Sequence, residues 1–166
     1  MHRTARRLDH WPLLLVMICL ALGRLASSPA AQATSDVAIV VHPDVPIDNL
    51  TVSELRRIVL GDREFWPAGV RITLLIRAPV AHERDVVLKA LCQMTEAQFR
   101  QHWIGKVFRA DTALAPKIVY SDDMSRDLVN RFPGAIAFID AANLGRGLKV
   151  VRLENRLPGE KGYGLR

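Results

Sequence analysis

Cysteine is scarce in this chain: Cys19 and Cys92 are the only two among 166 residues, which excludes a disulfide-dense scaffold. Aromatic residues make up only 6%. Glycine and proline, at 10 and 9 residues, are too few for a collagen-like or low-complexity chain. No apolar run reaches the ~20 residues a membrane-spanning helix needs. Conventional catalytic and cofactor signatures are missing too: G-x-S-x-G, H-E-x-x-H, G-x-x-x-x-G-K and G-x-G-x-x-G do not occur. His42, His82 and His102 are scattered without metal-ligand spacing. No cofactor, metal or enzymatic activity is expected. Disorder is excluded by a 49% hydrophobic content.

The formal charge of +6 suggests nucleic acid at first sight, but its distribution argues otherwise. Arg3, Arg6 and Arg7 precede the uncharged run Leu13–Gly23, and small residues lead to Ala31-Gln32-Ala33. A basic start, a short apolar run and an A-x-A end make a secretory signal peptide, 1–33, with cleavage expected after Ala33. Ile18 ahead of Cys19 does not make a lipobox, and Leu8-Asp9-His10 does not continue a twin-arginine motif. The remaining domain, 34–166, carries 19 basic and 16 acidic residues. Six of those basic residues lie in 145–166, with two acidic ones, leaving 34–144 near neutral. The expectations are periplasmic or secreted, no nucleic acid, no stable membrane anchor after cleavage, and a solvated basic tail over about 154–166.

Within 34–166 apolar runs alternate with helical patterns. Val37–Val41 is a β-branched run suited to a strand buried on both faces. Thr51-Val52-Ser53-Glu54 spells a capping box, and Val52, Leu55 and Val59 recur at helical spacing up to Gly61. The sequon Asn49-Leu50-Thr51 is a turn and cap. Ile72–Ile76 predicts a second strand ended by Arg77, then a helix over about 81–94 with Asp85 and Lys89 paired. Cys92 falls in its apolar stretch as a core residue. A second capping box, Thr95–Gln98, opens a helix with the stripe Phe99, Trp103, Val107 and a Glu96–Arg100 pair. Lys117–Tyr120 predicts a strand. The helix after it carries Met124, Leu128 and Phe132 on one face and the pairs Asp122–Arg126 and Asp127–Arg131 outside. Ala135–Ile139 is a fourth strand, and the alternating Leu148–Leu153 reads as an edge strand. The alternation means βαβ units: an α/β domain with a mainly parallel sheet and helices on both faces.

One point could hold a ligand. Arg77 ends a buried strand just before a helix begins, where open α/β sheets bind ligands and a helix N-terminus favours anions. Its guanidinium suits carboxylate or phosphate, with His82 assisting. Ser53 and Ser121, at helix starts, are lesser anion-binding candidates, each also readable as a cap. Asp122-Asp123 fits the usual acidic first turn of a helix.

Leu50-Thr51-Val52-Ser53-Glu54-Leu55 through Leu60-Gly61, followed by Trp66-Pro67-Ala68-Gly69, resembles the "LT..EL..IFLG…WPDG" stretch of phosphate-type periplasmic substrate-binding proteins. His102-Trp103 with Val107-Phe108 is similar as well. Pro133-Gly134-Ala135-Ile136-Ala137-Phe138-Ile139 resembles that family's "PGAIGYV", and Leu157–Tyr163 its tail. The resemblance implies one lobe of a type 2 periplasmic binding protein: a non-enzymatic solute-binding protein for phosphate or another small oxyanion, with a transporter permease as partner in ABC-type uptake. Arg77 matches the family's anion-binding Arg, whereas Ala81-His82-Glu83 replaces its Ser-Gly-Thr, and a carboxylate at Glu83 would repel a dianion if it faced the site. Ala137 and Phe138 replace the Gly and Tyr of the family motif, and family members are about twice as long. The alternative reading is therefore a protein–protein interaction module, a single lobe that has lost ligand binding.

Overall fold

The computed structural model describes residues 35–112 and 114–166, so the expected signal peptide lies outside the described residues. The sheet is built from β1 (Val37–Val41), β2 (Asn49–Leu50), β3 (Thr73–Arg77), β4 (Lys117–Val119), β5 (Ala135–Asp140) and β6 (Lys149–Leu153). Their order across the sheet is β2-β6-β1-β5-β3-β4. β2–β6, β3–β5 and β3–β4 pair parallel; only β1 runs against its neighbours, β5 and β6. The architecture is the expected α/β one with a mostly parallel sheet. All five residues of β1 are fully buried, because the strand lies near the middle with helices on either face.

The helices are α1 (Val52–Val59), α2 (His82–Val86) continuing into a π-helical segment Val87–Cys92, α3 (Glu96–Phe108), α4 (Asp122–Arg131) and a 3-10 turn Ala141–Asn143. Both predicted capping boxes form: Thr51 Oγ1 accepts from the Glu54 N–H and Thr95 Oγ1 from the Gln98 N–H, each at 3.2 Å. One sheet face packs Val37, Ile39 and Val41 against Leu55, Val59, Leu88, Phe99 and Trp103. The other packs Val40, Leu75 and Ile139 against Val129 of α4, with Leu128 and Phe132 at its border.

Three expectations change. β6 is an interior strand, since the two residues of β2 cover its free edge. Its lysine reaches out from the sheet: Lys149 Nζ donates to the Val45 carbonyl at 2.7 Å and lies 3.1 Å from Asp48. The tail is docked rather than solvated. Tyr163 and Leu165 are buried, Tyr163 Oη donates to the Val37 carbonyl at 2.7 Å, and Arg166 pairs with Asp36 at 2.9 Å. Apolar residues at odd spacing carry that docking, which a count of charges overlooks. In α4 the buried positions are Ser125 and Val129, and Met124 is exposed, because the helix is rotated from the predicted stripe.

Candidate functional site

β3 and β4 run parallel, with Arg77 opposite Val119, so both strands end together. The Ala78 N–H donates to the Val119 carbonyl at 2.8 Å and closes the pair. Beyond it Ala78–Ala81 turns into α2, and Ser121 turns into α4. Ser121 caps α4, its Oγ accepting from the Met124 N–H at 3.0 Å. Two helix starts therefore flank the end of β3, the arrangement that in α/β sheets makes ligand crevices.

Arg77 is not a solvated strand-end residue: only 14% of its side chain is exposed. Its Nε lies 3.3 Å from Glu83 Oε1 and 3.8 Å from Asp122 Oδ1. Glu83 comes from the first turn of α2 and is itself buried. Asp122 comes from the first turn of α4 and accepts from Asn143 Nδ2 at 2.8 Å. Burial pushes the Glu83 carboxyl above its ordinary range, and the neighbouring Asp122 carboxyl adds to this. Its own backbone N–H and Arg77 pull the other way. The ion pairs are close but poorly aligned: Arg77 Nε and Nη1 and Asp122 Oδ1 are buried without a hydrogen-bond partner. Arg77, Tyr120, Ser121, Asp122, Arg126 and Asn143 line a pocket of about 440 Å³.

Of the four residues singled out from the sequence, the structure brings Ser121 to Arg77. His82 turns away, its Nε2 lying 3.2 Å from the Ser35 carbonyl, which accepts. Ser53 is the second residue of α1, which follows β2 at the opposite edge of the sheet. Asp122 stands in the acidic first turn as expected, but its pairing with Arg126 is corrected: it faces Arg77, while Arg126 pairs with Asp123 and donates to the Asn143 carbonyl at 2.6 Å. Glu96 likewise leaves Arg100 for Arg84, whose Nε and Nη2 donate to it at 2.7 and 2.8 Å. Sequence reasoning missed Asn143 and Arg84. A signal existed for Arg84 alone, a charged residue on α2 just ahead of the apolar run Val86–Leu88.

Arg84 also donates from Nη1 to the Arg77 carbonyl at 2.8 Å, and its guanidinium stacks 5.3 Å from the Phe99 ring centre. On that side of β4 lies an apolar groove of about 550 Å³, lined by Phe99, Trp103, Ile104, Val107, Phe108 and Ile118 among others. Phe108 is 90% exposed there. Among the described residues no group of acidic, histidine or cysteine side chains could hold a metal ion, and no helix is long and apolar enough to cross a membrane.

No protein-family model and no curated protein matches the chain. Solved structures do. An ABC-type phosphate transport receptor from Vibrio cholerae is 23% identical with a TM-score of 0.61, over 75% of this chain and 48% of that one. PstS from Borrelia burgdorferi is 17% identical with a TM-score of 0.63, over 79% and 54%. A phosphate-binding protein from Stenotrophomonas maltophilia is 13% identical with a TM-score of 0.55, over 75% and 40%. The chain thus spans about half the length of these proteins, or less, and likeness at this identity establishes a shared fold.

Proposed function

We propose that this chain is a non-enzymatic binding protein of the periplasm or secreted space, one lobe of solute-binding architecture, whose ligand is phosphate or another small oxyanion. The observation that carries the reading is Arg77, a guanidinium with unpartnered donors at the end of β3 between two helix starts. An ABC-type phosphate transport receptor and a phosphate-binding protein among the structurally similar proteins support the same ligand class, and a transporter permease as partner belongs to the same reading. A single lobe covers one side of an ion, so binding is weak, in the millimolar range, unless a second protein surface completes the site. Calorimetric titration of residues 34–166 with inorganic phosphate tests this. Saturable heat that disappears in Arg77→Ala is the expected result; no heat and no thermal shift at tens of millimolar phosphate overturns it.

One observation favours the second reading, an interaction module: the apolar groove beside edge strand β4, where Ile104, Val107, Phe108 and Ile118 are each at least 45% exposed. The same titration separates the two, since a lobe that has lost its ligand gives no phosphate response in any variant.

A further inference from the structure

We propose that Glu83 is a resident anion of the Arg77 site, so that an external oxyanion binds only by displacing the Glu83 carboxylate. This rests on the oxyanion reading above and adds how that site is regulated. The geometry is specific. Glu83 stands in the first turn of α2, its carboxyl turned back on its own N–H and 3.3 Å from Arg77 Nε. That is the position an incoming anion would take between a helix start and a guanidinium. The site is also overcompensated, because Asp122 reaches Arg77 from α4 at 3.8 Å. Two carboxylates against one guanidinium repel a further dianion, and the effect is strong where solvent is largely excluded.

The two carboxylates are not equivalent. Asn143 Nδ2 holds Asp122 from the other side at 2.8 Å, so that side chain is fixed. Among the described residues Glu83 has no such neutral donor: its side-chain neighbours are Arg77 at 3.3 Å and the Asp122 carboxyl, and the contact with Asp122 favours its protonated form. It is the carboxylate free to leave, and removing its charge opens Arg77. Of the other ionisable groups nearby, Tyr120 lines the pocket largely exposed, and the rest are engaged elsewhere: His82 with the Ser35 carbonyl, Arg84 with Glu96, Asp85 with Lys89, Arg126 with Asp123, and Asp140 with the Ala142 N–H. Among the described residues Arg77 and Asp122 are the ionisable groups that act on Glu83, so its protonation is the event that lowers the barrier. Anion binding is therefore coupled to proton uptake at Glu83 and tightens toward acid pH.

The test is phosphate titration of wild type, Glu83→Gln and Arg77→Ala at fixed pH. Buffers of different ionisation enthalpy count the protons taken up. Phosphate's own ionisation cancels in the difference between wild type and Glu83→Gln. The expected result is about tenfold or more tighter binding by Glu83→Gln near neutrality, a gap that closes toward acid pH, and extra proton uptake by wild type. Glu83→Ala serves as the second variant if Glu83→Gln does not fold. Equal or weaker binding by the Glu83 variants, with Arg77→Ala still abolishing it, overturns the resident-anion proposal and leaves the oxyanion reading standing. Absence of binding in wild type and in both Glu83 variants overturns both.

Discussion

The indole Nε1 of Trp66 donates to the Gly134 carbonyl at 2.9 Å, across 68 residues of chain. Two stretches that resemble one protein family, Trp66–Gly69 and Pro133–Ile139, are thus in contact, and their role is to fix the entry of β3 and β5. The Thr73 N–H donates to the same carbonyl at 3.1 Å. Gly134 has φ +79°, and a Cβ there would stand 2.2 Å from the Arg71 carbonyl oxygen. Backbone cannot yield cheaply on both sides. Gly134→Ala is expected to lose more than about 3 kcal/mol. Trp66→Phe loses the bond and some packing, about 2 kcal/mol, while Thr73 still satisfies the carbonyl. Urea midpoints measure both; equal stability of Gly134→Ala and wild type would refute the contact.

Much of the fold is legible because its signals are local. The run Val37–Val41, the boxes at Thr51 and Thr95 and the terminator Gly61 each use interactions within a few residues. The charge pairs are where local reading fails. Spacing joins Glu96 to Arg100 and Asp122 to Arg126, whereas the fold gives Glu96 to Arg84 and Asp122 to Arg77. A buried guanidinium loses more by lacking a partner than an exposed i,i+4 pair gains, so tertiary demand decides. Arg77 was recognisable from its place at a strand end. The Glu83 carboxylate at the next helix start is legible too; the Asp122 contact is not, because the parallel pairing of β3 with β4 that delivers it is a long-range event.

Arg84 offers a measure of that tertiary demand. It is buried, forks onto Glu96 and ties down the Arg77 carbonyl. Glu96 remains 41% exposed, so solvent screens part of the pair. Arg84→Ala is expected to destabilise by about 2 kcal/mol, and Arg84→Lys by nearly as much, because an ammonium cannot make the planar two-point contact. Full stability in Arg84→Lys by chemical denaturation would show that the fork is not what matters.

Val80 adopts φ +67° and is fully exposed. It follows Pro79 in the turn closed by the Ala81 N–H on the Ala78 carbonyl at 3.3 Å, a position that favours glycine. A β-branched residue there is strained and packs against nothing. Val80→Gly is expected to stabilise the protein by about 1 kcal/mol, read as a raised thermal midpoint. A lowered midpoint would mean that the valine makes contacts that offset its strain.

Stability should also report on Glu83. Its carboxyl is raised above the ordinary value of 4.5, first by burial, so the folded state holds this proton more tightly than the unfolded chain. The contribution is fully present below 4.5 and is lost as pH rises through the raised value. Glu83→Gln removes that titration. Wild type should therefore lose stability relative to Glu83→Gln as pH climbs from that ordinary value toward neutrality. Denaturation curves across that window test the sign; a difference that is flat, or that runs the other way, contradicts the buried placement of Glu83.

The apolar stretch around Cys92 marks it as a core residue in the sequence alone. The structure buries it to 1% exposure in the π-helical segment, among Leu88, Leu91 and their neighbours. Burial pushes its thiol up to about 11, with Arg56 opposing only in part. Nucleophilic attack needs the thiolate and access, and Cys92 has neither near neutrality. In a protein of residues 34–166, where Cys92 is the single cysteine, the native state should leave an aromatic disulfide reagent unconsumed over hours at about pH 8, and the state unfolded in guanidinium should react completely with one equivalent. Intermediate denaturant should give rates that follow the fraction unfolded, because the segment opens only with the core around it. Rapid labelling of the native state would instead place the π-helical segment among locally opening regions and remove Cys92 from the core.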